Sequence, residues 1–232
     1  MSDDLGDRMK RYEDVWRAKL IRRTPVILRL DGKAFHTLTN KFCKSSFDSE
    51  FHNAMVNSAF KTVVEIQGAK CVYVQSDEVS ILITDFETLQ TDAWFDYNVQ
   101  KMTSVSASYM SVHFSRTIGV PAVFDARVFN LPKEEVCNYF IWRQKDWIRN
   151  SVSLLTRMHY SHKEMDGKSK ADQHEMLHQK GVNWSDMEDH WKNGVFISKE
   201  KNEENENWIR WKTCPNFTIM RSTVEKYIFL PE

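Results

Sequence analysis

Three acidic residues stand where apolar runs meet polar turns. Asp31 follows the run from Pro25 to Leu30, and Asp77-Glu78 sits between the β-rich runs 70–75 and 79–84. Two-cation phosphoryl transfer needs carboxylate oxygens brought from separate elements, because Mg²⁺ takes hard oxygen ligands and two adjacent cations need negative charge around them. An aspartate at a strand end beside an acidic hairpin tip is the arrangement of palm-type polymerase sites. Gly32, directly after Asp31, would let a carbonyl and successive N–H groups approach a triphosphate closely. Read singly, each feature has a plainer alternative: Asp-Gly is a common turn, and an acidic hairpin tip is commonly only solvated.

The elements that must position these acids follow from hydrophobic spacing. Pro25 to Leu30 carries Arg29 as its only charge and stops at Asp31-Gly32, which predicts a buried strand with an aspartate at its end. Phe47, Phe51, Met55, Ala59 and Val63 recur every fourth residue and Gly68 follows, the pattern of an amphipathic helix with a stop signal. Lys70 to Gln75 and Val79 to Thr84 predict a hairpin with two carboxylates at its tip. A second helix over about Thr88 to Arg116 and a strand over Val120 to Leu131, ended by Pro132, complete a βαββαβ order. Helical spacing resumes from Lys133 to about Lys163. Then come a polar helix from Lys170 to Gln179, a turn at Lys180-Gly181, and β-like pieces from Gly194 to Ser198 and Trp208 to Lys212, with EKNEENEN between them as a solvated loop. The expected fold class is α/β (α+β), with a mostly antiparallel sheet and flanking helices in a domain over residues 1–131 that carries the three acids. A helical and β-hairpin carboxy-terminal region over 132–232 packs on it.

Composition narrows the function classes. With 41% apolar residues in 232, a sizeable core is available, and 32 basic against 32 acidic side chains leave no global field to attract RNA. Any nucleic-acid contact must therefore use local basic patches. Arg143, Lys145 and Arg149 on the third long helix are candidates to track an RNA backbone, a solvated helix face being the plainer reading. The four cysteines form no CxxC pair, which argues against a zinc knuckle or disulfide framework. No apolar run approaches the roughly 18 residues that a membrane span needs, so a soluble cytoplasmic protein is expected.

The blocks LRLDGKAFH, VQSDEVS, FDARVFNLP and YFIWRQKDW, in this order over roughly residues 25–150, resemble those of the tRNA-histidine guanylyltransferase family. The resemblance implies a palm-like fold, two Mg²⁺ ions, ATP, GTP and other nucleoside triphosphates, a tRNA 5′ end and a homotetramer. By this resemblance Asp31 and Asp77 are metal-binding aspartates, the Gly32 carbonyl is a backbone metal ligand, and Glu78 is a third catalytic acid. The segment Asp31, Gly32, Lys33, Ala34, Phe35 and His36, with Ser76 and Asp77, would cradle the triphosphate. Lys44 and Lys101 match further basic positions of the nucleotide site, and Arg127 matches the arginine of the FDxR block, a tRNA contact. Family members that guanylylate tRNA-histidine continue after WRQ-x-D with His-Ile-Asn-Asn. Here the chain reads WIRNSVS, with Ile148 in place of the histidine and only Asn150 kept, a further candidate tRNA contact. The expected activity is therefore 3′-to-5′ nucleotide addition that repairs 5′-truncated tRNA after activation of the 5′ end by ATP or GTP, with dedicated guanylylation of tRNA-histidine as the alternative.

Rival readings come from other classes. His174-Glu175-Met176-Leu177-His178 is a literal HExxH, which on a helix offers two histidines to zinc and a glutamate base for a peptidase. The plainer account is an exposed helix with two histidines four apart. A non-catalytic RNA-binding palm would gain from losing the acids, all three of which are present. A nucleotidyl cyclase would share the acids and metals without tRNA.

Overall fold

The structure is a computed structural model that describes residues 4–43, 45–202, 205–214 and 221–225. In chain order the elements are α1 (Leu5–Asp14), β1 (Val26–Gly32), α2 (Phe35–Phe42), α3 (Ser49–Val64), β2 (Ala69–Gln75), β3 (Glu78–Ile83), α4 (Val99–Ile118), β4 (Phe124–Asn130) and α5 (Lys133–Arg157). They continue with α6 (His162–Met165), α7 (Lys170–Gln179), α8 (Asp189–Asn193), β5 (Val195–Asn202), β6 (Asn205–Cys214) and α9 (Arg221–Glu225). Six strands form one sheet in the order β4-β1-β3-β2-β5-β6, and every neighbouring pair is antiparallel.

Side chains on a strand alternate between faces, and here both faces are covered. Val26, Leu28, Leu30, Val72, Val74, Ile81 and Ile83 pack with Met55, Ala59, Val63, Met102, Met110 and Phe114 of α3 and α4. Ile27, Tyr73 and Leu82 pack on the other face with Val136, Cys137, Tyr139 and Phe140 of α5. That double cover is why β1 and β3 read as mostly apolar runs, broken only by Arg29 and Ser80 between their acidic ends. Each fully buried aliphatic side chain of this kind contributes about 1.5–3 kcal/mol.

The expected α/β architecture with an antiparallel sheet and flanking helices is found. The β-like pieces near the carboxy terminus extend the main sheet, because β5 pairs with β2 through Cys71–Ser198 to Val74–Val195. The second helix differs: α4 starts at Val99 rather than near Thr88. Buried Asp85 accepts from the Arg22 guanidinium at 2.6 Å and from the Arg23 N–H at 2.8 Å, and Thr88 and Thr91 bond each other, so the chain before α4 is committed to tertiary and turn contacts. The helix is then started by Asn98, whose side chain accepts the Lys101 N–H at 3.0 Å. Likewise α5 ends at Arg157, and Ser161, capped reciprocally with Glu164, begins the short α6.

Candidate active site

The site forms where β1 ends beside the β2–β3 hairpin. Antiparallel register sets Asp31 across from Glu78, and the Gly32 N–H donates to the Asp77 carbonyl at 3.1 Å. The two-residue tip is tight, with Ser76 in the left-handed region at φ 47°. Asp31 at the end of β1 is thereby held beside Asp77 on the hairpin tip, and both line a cavity of about 320 Å³ with Gln75, Ser76 and Glu78. Its helical wall is α5, through Arg143, Trp147, Asn150, Ser153, Leu154 and Arg157.

Burial, reinforced by the Asp31 carboxylate, pushes Asp77 up to about 6, against the opposing bonds from its own backbone and Ser76. Among the described residues neither Asp31 nor Asp77 forms an ion pair with a cationic side chain. Two close carboxylates without a counter-charge, beside a backbone carbonyl at Gly32, make an all-oxygen donor set that fits Mg²⁺. No group of three His, Cys, Asp or Glu side chains among the described residues is arranged to hold a metal ion. Glu78 is held by other partners. Its Oε1 accepts from Arg143 Nε at 2.7 Å and from Gln75 Nε2 at 3.2 Å, while Oε2 accepts from Arg143 Nη2 at 2.7 Å. Both oxygens of the predicted third acid are thus engaged by protein donors.

A second cavity, of about 450 Å³, adjoins the first and shares Gln75, Ser76, Trp147, Leu154 and Arg157 with it. Its other walls are His36, Thr39, Asn40 and Cys43 from α2 and its end, Asp48, Phe51 and His52 from α3 and its cap, and His190, Trp191 and Gly194. The His52, His190 and Trp191 rings lie 4.4–4.9 Å apart between centroids. Burial, helped by His190, pushes His52 down to about 4, so that imidazole is neutral at pH 7.

The remaining predicted residues fall in different places. His36 and Ser76 line the larger cavity, and Lys33 and Ala34 are exposed on the turn between β1 and α2. The Phe35 ring is buried among Phe51, Phe114 and Phe124 at 4.9–6.0 Å. A Cβ on Gly32 would meet that ring at 2.5 Å. The glycine therefore makes room for Phe35, and the segment can offer a ligand its backbone at this point but not the phenyl ring. Lys44 lies outside the described residues. Lys101 lies in the first turn of α4, its Nζ 6.0 Å from the Phe95 ring, and lines neither cavity.

Of the cations expected to follow RNA, Arg127 is paired with Asp125 at 3.3 Å and Arg149 with Asp146 at 2.9 Å, while Lys145 is exposed; none of the three lines either cavity. Arg143 is buried and paired with Glu78. Asn150 lines the smaller cavity and donates to Asp146 at 3.4 Å. Sequence reasoning missed Trp147, Ser153, Leu154 and Arg157. The signal was present: Arg143, Trp147, Asn150, Leu154 and Arg157 recur at helical spacing and share one face, from which Lys145 is excluded. The HExxH histidines lie on α7, exposed, in a shallow hollow with Asn183 and Trp184.

Comparison with known proteins places this geometry in a family. Residues 6–132 match the model of Thg1, tRNAHis guanylyltransferase. The solved structure of a bacterial tRNA(His) guanylyltransferase (Thg1)-like protein in complex with ATP is 39% identical, covers 98% of this chain and 100% of that one, and superposes with a TM-score of 0.92. A bacterial Thg1-like protein in complex with GTP is 40% identical, over 97% and 99% of the two chains, with a TM-score of 0.83. The tRNA(His) guanylyltransferase of Debaryomyces hansenii is 27% identical over 207 residues, 78% of this chain and 76% of its own. A family match over more than half the chain and near-complete overlap with homologous structures make this chain a nucleotidyltransferase of the tRNAHis guanylyltransferase family.

Proposed function

We propose that this enzyme binds ATP or GTP together with a tRNA and adds nucleotides to the tRNA 5′ end in the 3′-to-5′ direction, repairing 5′-truncated molecules. The observation that carries this reading is the juxtaposition of Asp31 and Asp77 in one cavity, two carboxylates without a counter-charge at the end of a palm-like sheet. In this reading Asp31, Asp77 and the Gly32 carbonyl hold two Mg²⁺ ions. Bound there, the ions would lower the pKa of the attacking hydroxyl and neutralise charge on the phosphates. The chain's own residues do the positioning. The Ser76 turn and the start of α2 present the nucleotide, and Asn150 and Arg157 face the reacting end from α5. The 3′-hydroxyl of the incoming nucleotide attacks the 5′-phosphate of the tRNA, a new phosphodiester forms, and AMP leaves an adenylylated end or pyrophosphate leaves a triphosphorylated one.

Ile148 in place of the histidine that follows the WRQ-x-D block supports repair over dedicated tRNA-histidine guanylylation. Further elements of the reading are assembly as a homotetramer and a cytoplasmic location; among the described residues no helix is long and apolar enough to cross a membrane. The test is extension of a 3′-labelled tRNA lacking its first nucleotide, with Mg²⁺ and all four nucleoside triphosphates. Restoration of the base-paired nucleotide by the wild type and not by Asp77→Ala is expected. Addition confined to tRNA-histidine, whatever the opposing base, would replace repair by the dedicated role, and no addition to any 5′ end would overturn both.

A further inference from the structure

The segment from His174 to His178 borders neither cavity of the candidate active site, yet the fold fixes its orientation. Ser169, capped reciprocally with Asp172, starts α7, which buries Gln173 and Leu177 on its inner side. Gln173 Oε1 accepts from the Ser153 hydroxyl of α5 at 2.9 Å, and Leu177 packs with Val152 and Leu155 of the same helix. The Tyr160 hydroxyl donates to the Met176 carbonyl at 2.6 Å and ties the chain after α5 to the middle of α7. With residues 173 and 177 turned inward, His174, Glu175 and His178 all line one hollow of about 410 Å³, bounded across from them by Val182, Asn183 and Trp184. The Trp184 ring stands nearly perpendicular to that of His174, 5.9 Å between centroids, and its Nε1 donates to the Ser151 hydroxyl at 3.0 Å. One histidine is therefore set against a wall that is itself anchored to α5.

Histidines four apart on a helix lie one above the other with about 5–6 Å between Cβ atoms, so that two ring nitrogens can converge on one ion at the roughly 2.0–2.1 Å of a zinc–imidazole bond. Glu175 on the same wall adds negative charge, while the Lys180 ammonium lies over the Tyr160 ring at 5.3 Å and does not line the hollow. We propose that His174 and His178 together bind one divalent transition-metal ion of the zinc class, at a site separate from Asp31 and Asp77. No group of three His, Cys, Asp or Glu side chains is arranged to hold a metal among the described residues, so water fills the remaining positions. The ion is then a clip across one turn of α7 and not the three-ligand centre of a peptidase. Nitrogen donors favour such an ion over Mg²⁺, which takes oxygen, so this inference stands apart from the nucleotidyl-transfer reading and its metals. A helix of 10 residues is marginal by itself, and α7 packs on the half of α5 that carries Asn150, Leu154 and Arg157. A metal clip on α7 would stiffen that wall of the smaller cavity.

The test uses the full chain, stripped with chelator and returned to excess Mg²⁺, which occupies the oxygen sites. Zn²⁺ is titrated by calorimetry into the wild type, His174→Ala, His178→Ala and His52→Gln, the last a control for the other close histidine pair, His52 and His190. Binding of one ion by the wild type is expected, weakened roughly tenfold or more in each of His174→Ala and His178→Ala as a chelate becomes a single contact, and unchanged in His52→Gln. Zn²⁺ is also expected to raise the melting temperature of the wild type and not that of the two α7 variants. Both histidines are exposed, so the variants keep the fold, which circular dichroism checks. A wild type that takes up no Zn²⁺ in excess Mg²⁺ overturns the inference, as does binding that survives in both α7 variants. Loss in only one of those two reduces the site to a single ligand and overturns the chelate, and loss confined to His52→Gln puts the ion at the other pair.

Discussion

Arg143 holds Glu78 in a two-pronged grip, Nε to Oε1 and Nη2 to Oε2, both at 2.7 Å, with both side chains almost entirely withdrawn from water. The pair ties α5 to the hairpin that carries Asp77. Removing one member of a buried pair strands the other charge, so Arg143→Met is expected to cost about 3–5 kcal/mol. Urea denaturation reads this directly. Glu78→Gln, which keeps the shape and loses the charge, is expected to be destabilised as well, since Arg143 then retains only Asp146 at 3.3 Å. A Glu78→Gln enzyme of wild-type stability would show that the grip is unimportant.

Asp77 and Asp31 make the opposite case. Their carboxylates repel each other, so Asp77→Asn is expected to leave metal-free stability unchanged or raised while lowering turnover roughly 100- to 1000-fold. Melting temperature in a chelating buffer and single-turnover extension are the two readouts. A destabilised Asp77→Asn would mean that the carboxylate serves folding and would contradict the account of the site.

His52 gives a pH dependence with a definite sign. Its folded pKa, about 4, lies below the ordinary 6.5, so the unfolded chain binds more protons between those values and stability falls as pH drops from about 6.5 to about 4. The loss is on the order of 2 kcal/mol after allowance for partial exposure. Comparing urea midpoints at pH 7 and pH 4.5 for the wild type and His52→Gln isolates it: the variant is expected to have the flatter profile. His190, also held below its usual range by burial, contributes in the same direction.

Gly194 ends α8 and admits β5 to the sheet. Its φ is +73°, and a Cβ there would stand 2.7 Å from both the Tyr73 hydroxyl and the Val74 carbonyl. Gly194→Ala is therefore expected to cost about 1–3 kcal/mol through overpacking, together with left-handed strain, read by thermal melting. A neutral effect would mean that the β2–β5 junction yields easily.

The strands around Asp31 and Asp77 were legible because an alternating chain buried on both faces leaves an unmistakable apolar run, and the acids interrupt it at its ends. The start of α4 was not, because Asp85 and its arginine partners, Arg22 and Arg23, are more than sixty residues apart in sequence and no local spacing announces the contact. The role of Arg143 was hidden for a similar reason. On a helix an arginine near Lys145 and Arg149 reads as one of a solvated set, and only the packing of α5 on the sheet shows that it points inward. Arg157 was overlooked because its significance comes from the cavity it borders rather than from any motif it belongs to.

The position of β5 beside β2 has a consequence for synthesis. The strands β4, β1, β3 and β2 are complete once residue 130 has been made, yet the outer edge of β2 finds its partner only when residues 195–202 emerge, after the whole of α5 to α8. A nascent chain must therefore carry an open, apolar sheet edge through much of its elongation, a template for pairing with other chains. Slow translation beyond α5, or truncation before β5, should turn a folding intermediate into an aggregating one.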